Sequence, residues 1–437
     1  MADDDPKLST GRLARLAKLA SMSARLSTDV VARGVKRLTG DESASALGAG
    51  AAEKLVATLG DLKGLAMKLG QQLSMDSEML SPEVRAIVSR LQNAAPPMPW
   101  ARVREVLCAE LGRPPEEAFA SFSEAPLAAA SLGQVHLATL HDGTRVAVKV
   151  QYPDIADALH ADLSNLGTMV KVVSTTTRIT HGRDYFEELK AGLLEELDYV
   201  EEARRGELYR EACAQLPGLV IPRSYPALTT RRVLTLELLE GETFKDFLAR
   251  REGVDNAERF RVAGLLTQAL WGPFLLHGVV HADPHPGNFM LLPDGRLGVL
   301  DFGTVKRLSP VWCSVNRRLF HGIVHGEPFD VVALSLESGF VFDDAAAARP
   351  FAEEVLDIIA RPLRSDFFDF AEAGMSRELR NVMLKNAHRL PGIKPPKQCV
   401  QFFRAVGGMA QNLENLGASG NYRATHDALL ALAASPG

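Results

Sequence analysis

A chain of 437 residues is long enough for two or three structural units with a substantial hydrophobic core. Its formal net charge of −5 argues against a general nucleic-acid binder, because such proteins usually carry a strong basic excess. The four cysteines are scattered without a Cys-x-x-Cys pair, which favours buried thiols in a reducing compartment over a disulfide framework or a zinc site.

The first 50 residues predict an amphipathic helix followed by a linker. Leucines within residues 10–38 fall in one broad sector with basic side chains beside it, which is typical of a helix packed on protein or lying on a membrane surface. Packing on protein is the favoured interpretation. The N-terminus lacks the apolar core of a secretory signal, and its early acids fit poorly with a mitochondrial transit peptide.

Residues 51–126 predict a helical extension. Leucines at helical spacing indicate a helix from Ala51 to Leu73. Within it, Lys68 and Gln71 point from one face because they are three residues apart, although such a pair is usually solvated surface. After a proline-rich break, a helical pattern resumes from Ala101 to about Phe122.

From about Leu127 the pattern changes to strands. Residues 135–140 and 145–150 are apolar runs joined by a turn that contains Gly143, which predicts a hairpin. Lys149 lies near the end of the second run. A lysine on an apolar strand is costly to bury unless it meets an anion, and in kinase-type sites that anion is the phosphate tail of ATP.

An alanine-rich segment precedes this hairpin. Ala128, Ala129, Ala130 and Ser131 stand where a typical kinase carries a glycine-rich loop whose backbone N–H groups cover the phosphates. Alanine disfavours positive φ and crowds a close phosphate approach. Taken alone the run predicts an ordinary tight turn, but before a Val-Ala-Val-Lys strand it predicts an altered phosphate-covering loop.

A long predicted helix carries five acids that are candidate partners of the lysine. On one continuous helix, Glu195, Asp198 and Glu202 share a face, while Glu196 and Glu201 lie off it. An acidic helix face is most often simply solvated. The spacing alone therefore does not name the partner.

A buried strand is predicted from Val233 to Leu239. Gly241 follows it as a candidate hinge. Because a kinase-type hinge meets the adenine near the end of such a strand, Glu237 is a candidate neighbour of the nucleotide.

The segment His281–Asn288 and the later Asp301-Phe302-Gly303 carry the strongest chemical signal. Asp283 and Asn288 lie five residues apart, and Asp301 follows Asp283 by eighteen, which is the layout of a kinase-type phosphoryl-transfer site. Two short apolar runs and a Pro-Asp-Gly turn lie between them, so a hairpin is predicted to hold Asn288 and Asp301 close together. Carboxylate and amide oxygens are the ligands that the Mg²⁺ of Mg-ATP needs.

The segments on either side of this signal predict helices. A buried helix from about Ala257 to Gly278 precedes it, too interrupted by polar residues to read as a membrane span. After Arg307 the chain is mostly helical, with breaks around Pro328, Pro362 and residues 391–396. No Ala-Pro-Glu follows the Asp-Phe-Gly, which leaves little room for an activation segment and argues against an ordinary protein kinase.

Together these residues resemble the UbiB/AarF family of atypical kinases, the group that includes the coenzyme Q biosynthesis kinase-like proteins. Six motifs match in order, from about Leu62 to Arg307. They are the Lys-x-Gly-Gln signature at Lys68–Gln71, the alanine-rich loop Ala128–Gln134, the strand Val146–Lys149, the Glu-x-Asp motif Glu196–Asp198, His281–Asn288, and Asp301–Gly303.

The resemblance implies an α+β, protein-kinase-like two-lobed fold with a helical N-terminal extension and a mostly helical C-terminal lobe. The extension is expected to lie over the active site, where a protein substrate would otherwise dock. The resulting domain prediction assigns residues 1–50 to the basic helix and linker, 51–126 to the extension, 127–240 to an N-lobe and 241–437 to a C-lobe.

The resemblance also implies roles for single residues. Lys68 and Gln71 become active-site residues, with Lys68 close to Glu196 and Asp198.

In the lobes, the resemblance makes Glu202 the helix partner of Lys149. Asn288 and Asp301 become Mg²⁺ ligands, and Asp283 takes the catalytic-base position.

The implied activity is that of an ATPase or kinase that uses ATP and Mg²⁺ and supports isoprenoid quinone biosynthesis. The implied partners are an isoprenoid lipid or quinone precursor and quinone-biosynthesis proteins, with no nucleic acid. Some bacterial family members carry C-terminal transmembrane helices, and none is found in this sequence. The expected location is therefore cytoplasmic or peripheral at the inner face of a membrane, with contact through residues 10–38.

Two other functions stay open. One is a nucleotide-gated lipid-binding chaperone or scaffold with little catalysis. The other is a small-molecule phosphotransferase of the aminoglycoside or choline kinase sort, which shares the logic of Asp283–Asn288 and Asp301. The signature at Lys68–Gln71 and the alanine-rich loop argue against the phosphotransferase.

Overall fold

The structure, a computed structural model, describes residues 97–130, 132–157, 159, 160, 163, 190 and 194–434. The described chain divides into two compact units. The first contains the residues up to Val200 together with Tyr225–Leu236, and the second contains Glu201–Ser224 together with the chain from Glu237 onward. The helices predicted for residues 10–38 and 51–73, with Lys68 and Gln71, and also Ser131, lie outside the described residues.

The described strands and helices are numbered in chain order. The strands are β1 (Ser121–Ala130), β2 (Gly133–Thr139), β3 (Arg145–Gln151), β4 (Leu219–Val220), β5 (Val233–Glu237), β6 (Glu242–Thr243), β7 (Val279–His281), β8 (Phe289–Leu291), β9 (Leu297–Val299), β10 (Val305–Arg307), β11 (Val341–Phe342), β12 (Phe368–Asp369), β13 (Ile393–Lys394) and β14 (Ser419–Gly420). The helices are α1 (Trp100–Leu111), α2 (Pro115–Ala118), α3 (Tyr199–Ala212), α4 (Phe244–Ala249), α5 (Asn256–His277), α6 (Pro310–His325), α7 (Val331–Glu337), α8 (Ala345–Arg364), α9 (Phe370–Ala373), α10 (Met375–Lys385), α11 (Lys397–Leu416) and α12 (Tyr422–Ala434).

The first unit is built on a four-stranded sheet in the order β1-β2-β3-β5. Strands β2 and β3 pair antiparallel from Gly133 opposite Gln151 to Thr139 opposite Arg145, which confirms the predicted hairpin. Successive side chains on a strand point to opposite faces. Val146, Val148 and Val150 accordingly share one buried face, and helix α1 packs in the same apolar cluster.

Helix α1 ends earlier than the sequence pattern predicts. A helical pattern is predicted to about Phe122, but α1 stops at Leu111, where Gly112 adopts a left-handed conformation with φ of 67°. Strand β1 already begins at Ser121, before the predicted change at Leu127. The glycine cap and the prolines that follow it end the helix, because proline cannot continue the hydrogen-bond ladder.

The acidic segment is not one continuous helix, so the prediction of a shared face for Glu195, Asp198 and Glu202 is wrong. The long predicted helix that carries the five acids is interrupted at residues 196–198, and α3 begins at Tyr199. The Asp198 carboxylate accepts a hydrogen bond from the Val200 backbone N–H at 3.1 Å. An aspartate in this position caps a new helix, and the local cap outweighs the helical periodicity.

The second unit is organised around α5, the long helix that the sequence predicts between about Ala257 and Gly278. It begins at an Asp255 cap, whose side chain accepts from the Glu258 N–H, and ends at Gly278 with φ of 66°. Strand β7 follows directly and pairs antiparallel with β10. A second sheet in the order β4-β9-β8-β6 lies in the same unit.

The C-terminal part of the second unit is mostly helical, as predicted. The breaks near Pro328 and around residues 391–396 are confirmed, since α6 ends at His325 and α11 begins at Lys397. The break predicted around Pro362 is also confirmed, because α8 ends two residues later at Arg364. Pro362 lies in the last turn, where its ring removes a single backbone donor shortly before the helix ends.

Within the described part of the chain, no helix is both long enough and apolar enough to span a bilayer.

Candidate functional site

The hairpin β8–β9 brings together the ends of the two chemical motifs. Phe289 pairs with Val299, and the Leu300 N–H donates to the Asn288 carbonyl at 3.0 Å. Asn288 therefore lies beside the residue that precedes Asp301. The predicted hairpin is confirmed, and it forms because apolar runs flank a Pro-Asp-Gly turn.

Asn288 is also tied to the aspartate five residues before it. Its Nδ2 donates to the Asp283 backbone carbonyl at 3.2 Å. This orientation leaves Oδ1 as the amide atom that a cation could bind, and the described residues supply it with no hydrogen bond. The carboxylate of Asp301 accepts from the Gly303 N–H at 3.1 Å. One amide oxygen and one carboxylate form a hard-oxygen donor set that suits Mg²⁺.

His281 connects the two motifs through its side chain. Its imidazole is buried, and Nε2 hydrogen-bonds to the backbone carbonyl of Asp301. Its Nδ1 accepts from the Asp283 N–H at 3.4 Å. Nε2 therefore carries the proton. One ring holds the backbone of both aspartates.

Arg205 fixes the glycine of the Asp-Phe-Gly motif. This buried arginine projects from α3, and its Nη1 donates to the Gly303 carbonyl. Its Nε pairs with Glu201 at 3.1 Å. The neighbouring guanidinium of Arg204, aided by that of Arg205, lowers the pKa of Glu201 to about 2. Glu201 thus supports the site through Arg205.

Asp283 forms an ion pair with an arginine from the C-terminal region. Its Oδ1 lies 3.4 Å from Nη2 of Arg404 on α11. The same helix supplies Asn412, whose Nδ2 donates to the Pro284 carbonyl at 2.6 Å. Helix α11 therefore contacts the segment after His281 at two points.

Lys149 lies in the first unit, on β3 between two core valines. Its Nζ stands 4.8 Å from the centroid of the Tyr199 ring, a cation–π contact with a fully buried aromatic side chain. Because Tyr199 opens α3, this contact connects the strand lysine to the start of that helix within the unit.

The acids predicted near the lysine occupy different places. Glu196 is buried in the turn before α3, and the Asp198 carboxylate lies 3.6 Å from Nε of Arg231. Both belong to the first unit. Glu202 is buried in the first turn of α3 and belongs to the second unit.

The alanine-rich segment is extended strand, not the predicted loop. Ala128, Ala129 and Ala130 end β1 and pair with residues of β2, with Ala130 opposite Gly133. Only residues 131 and 132 separate the two strands. The pairing with β2 keeps the segment extended. Ala128 and Ala129 are solvent-exposed.

Glu237 ends strand β5, as the sequence predicts for a residue near the hinge. Its backbone N–H donates to the Arg223 carbonyl at 2.8 Å, and its Oε2 accepts from the Arg223 N–H at 3.3 Å. These two hydrogen bonds join the end of β5 to Arg223, and both residues belong to the second unit.

Sequence reasoning missed Arg205, Arg404 and Asn412 as residues of this site. Arg404 and Asn412 lie more than 100 positions beyond the motifs they contact, on a helix without any local signature. The sequence did contain a signal for the role of His281, because this residue lies two positions before Asp283 in a His-x-Asp arrangement.

A profile of known families matches the part of the chain that contains these elements. The ABC1 atypical kinase-like domain matches residues 90–333, more than half of the 437 residues. The chain belongs to the ABC1 atypical kinase-like family. This confirms the predicted resemblance and the predicted enzyme class, an atypical kinase or ATPase.

Relatives within the ABC1 family match most of the chain. The zebrafish (Danio rerio) protein named atypical kinase COQ8B, mitochondrial, is 27% identical over 417 residues, which cover 92% of this chain and 66% of that protein. The Saccharomyces cerevisiae atypical kinase COQ8, mitochondrial, is 26% identical over 94% of this chain and 83% of its own length.

A solved structure supports the kinase-like fold of this ABC1 family member. The complex of Mycobacterium tuberculosis Rv3197 with erythromycin superposes with a TM-score of 0.60 at 29% identity. The match covers 89% of this chain and 97% of the Mycobacterium chain. The predicted α+β, kinase-like fold is therefore confirmed.

Proposed function

We propose that this chain binds Mg-ATP through Asp283, Asn288 and Asp301 and transfers or hydrolyses the terminal phosphoryl group. The observation that carries the proposal is the β8–β9 hairpin, which brings Asn288 beside the residue that precedes Asp301, while the Asn288 side chain holds the Asp283 backbone. Asn288 and Asp301 are the proposed Mg²⁺ ligands. When bound, Mg²⁺ neutralises charge on the phosphate oxygens.

Asp283 is the proposed residue that orients the phosphoryl acceptor. Its carboxylate is largely buried and faces Arg404, and its backbone is held by His281 and Asn288. Phosphoryl transfer depends mainly on positioning and electrostatic stabilisation, so a carboxylate fixed at several points suits the task. The acceptor is either a hydroxyl group or water.

The lysine strand is the proposed phosphate-binding part. Lys149 would contact the phosphates, with Glu202 as its helix partner and Ala128–Ser131 and Glu237 as neighbours of the nucleotide. The alternating burial of β3 supports this role, because it fixes Lys149 between two core positions.

The helical extension is the proposed cover of the site. Lys68 and Gln71 would act there together with Glu196 and Asp198. The proposal also divides the chain into domains after residues 50, 126 and 240. It further includes peripheral membrane contact through residues 10–38.

Asp301→Asn tests the proposal directly. The variant keeps the volume of the side chain and removes the negative charge that Mg²⁺ requires, so ATP turnover is expected to vanish while the melting temperature changes little. Asp294→Asn is the matched control, because Asp294 is exposed in the turn of the same hairpin and pairs with Arg296. Unchanged turnover in Asp301→Asn would refute the metal-ligand assignment.

The proposed cellular role is support of isoprenoid quinone biosynthesis, with an isoprenoid lipid or quinone precursor as the ligand class. The resemblance and the similarity to the two COQ8 proteins support it. Cells that lack the protein should accumulate a quinone precursor. Wild-type protein and Asp294→Asn should restore the quinone profile, whereas Asp301→Asn should not. Rescue by Asp301→Asn would favour the lipid-binding chaperone or scaffold with little catalysis instead.

A further inference from the structure

The C-terminal helix α11 reaches the Asp283 segment through two polar side chains on one face. Arg404 and Asn412 are eight residues apart, close to two helical turns, so they project in similar directions. Arg404 contacts the Asp283 carboxylate at 3.4 Å, and Asn412 donates to the Pro284 carbonyl at 2.6 Å. One contact is with the functional side chain, and the other is with the backbone next to it.

The ion pair between Arg404 and Asp283 lies in a largely buried environment. The Asp283 side chain is 11% exposed and that of Arg404 is 25% exposed. A carboxylate this buried loses most of its hydration, and the Arg404 guanidinium lies within ion-pair distance of it. In kinase catalytic loops an arginine follows the histidine, but here that position is Ala282. The guanidinium beside Asp283 comes from α11, 121 residues later in the sequence.

We propose that Arg404 is a positioning residue of the phosphoryl-transfer site, with its guanidinium fixing the direction of the Asp283 carboxylate toward the acceptor. This inference rests on the proposed function. Arg404 acts through Asp283. Loss of the guanidinium therefore lowers the rate of turnover, while binding of Mg-ATP through Asn288 and Asp301 stays nearly intact.

Helix α11 does not need Arg404 in order to stay folded. Its apolar face is buried through Phe402, Ala405, Met409, Leu413 and Leu416. Asn412, only 2% exposed, retains the backbone contact with Pro284 when Arg404 is changed. The apolar residues and Asn412 therefore hold the helix in place, while Arg404 positions Asp283. A substitution at Arg404 can test the positioning role alone.

The first test compares Arg404→Gln, Arg404→Lys and Lys397→Gln by steady-state ATP hydrolysis with Mg²⁺. Arg404→Gln should lower kcat by about 10- to 100-fold with KM for ATP changed less than about threefold, since misplacement of a positioned group costs rate. Arg404→Lys should recover part of kcat, because it restores the charge without the fork geometry. Lys397 is exposed at the start of the same helix, so Lys397→Gln should match wild type.

A double-mutant cycle with Asp283→Asn is the second test. If Arg404 acts through Asp283, Arg404→Gln causes little further loss of kcat in the Asp283→Asn background. An equal fold-loss in both backgrounds, or an unchanged kcat in Arg404→Gln, would overturn the inference. If Arg404→Gln is unstable, the charge-retaining variant Arg404→Lys tests the inference in its place. A wild-type kcat and a normal melting temperature in Arg404→Lys would count against a geometric role of Arg404.

The same assays separate this inference from the proposed function. Retained turnover in Asp301→Asn would reject the Mg-ATP site itself. Lost turnover in Asp301→Asn together with wild-type kinetics in Arg404→Gln would reject only the role of Arg404.

Discussion

The buried imidazole of His281 donates through Nε2 to the backbone carbonyl of Asp301. The opposite nitrogen of the ring accepts from the Asp283 N–H at 3.4 Å. The ring is packed edge-on against Tyr209 and Phe302, with centroids 5.5 and 6.2 Å away. His281, the last residue of β7, therefore forms a hydrogen-bonded bridge between the backbones of the two aspartates. The geometry of the site depends on this bridge.

His281→Phe should keep the aromatic packing and remove this bridge. The Asp301 carbonyl and the Asp283 N–H would lose a buried partner, which is expected to cost about 2 kcal/mol of stability. ATP turnover should fall by about 10-fold or more, because groups that orient functional side chains typically have effects of this size. Thermal melting and steady-state hydrolysis measure the two quantities.

The control for this variant is His277→Phe, in which the same change is made at an exposed position four residues earlier on α5. It should alter neither the melting temperature nor the turnover. Wild-type turnover in a folded His281→Phe protein would show that the bridge is dispensable.

The local layout of the site could be predicted from sequence because short-range chemistry determines it. A Pro-Asp-Gly turn between two apolar runs defines the β8–β9 hairpin, and the hairpin alone places Asn288 near Asp301. Similarly, Gly143 with φ of 86° forms the turn between β2 and β3 and leaves Lys149 on an apolar strand.

Features that depend on tertiary contacts or on local caps could not be predicted in this way. Arg404 reaches Asp283 across 121 residues, and nothing in the sequence around Arg404 marks it. The Asp198 cap interrupts a helix whose spacing of acids alone predicts no break. Ala128, Ala129 and Ala130 at the end of β1 have no strong strand preference, and they become strand through pairing with β2.

Gly133→Ala should destabilise the first unit by about 3 kcal/mol, a typical cost of overpacking. A Cβ at this position would stand 2.1 Å from the Val150 carbonyl oxygen, which belongs to the paired strand β3. Strand β2 would have to move away from β3 beside the alanine-rich segment. Urea unfolding measures the loss.

Gly143→Ala is the informative comparison for this prediction. A Cβ at Gly143 meets no atom within 4 Å, so only the left-handed φ of 86° opposes the substitution. Its cost should be about 1 kcal/mol. Equal stability of the two variants would contradict the close approach of β2 and β3 at Gly133.

His426 should make the stability of the second unit sensitive to acid. Its buried ring packs against Phe320 with centroids 5.3 Å apart, and Nδ1 donates to the Tyr422 carbonyl at 2.6 Å. Burial lowers the pKa of His426 from 6.5 to about 4. The folded protein therefore keeps the imidazole neutral at a pH where the unfolded chain already binds a proton.

The sign of the effect follows from this difference in proton binding. Above pH 6.5 both states are neutral at His426, and its contribution to stability is constant. As the pH falls from 6.5 to about 4 the unfolded state gains the proton first, so the free energy of unfolding decreases by about 3 kcal/mol. His426→Gln should remove this part of the pH dependence. Urea titrations at pH 7.5 and 4.5 measure it, with the exposed His388→Gln as control. An identical pH dependence in wild type and His426→Gln would show that another group governs the acid response.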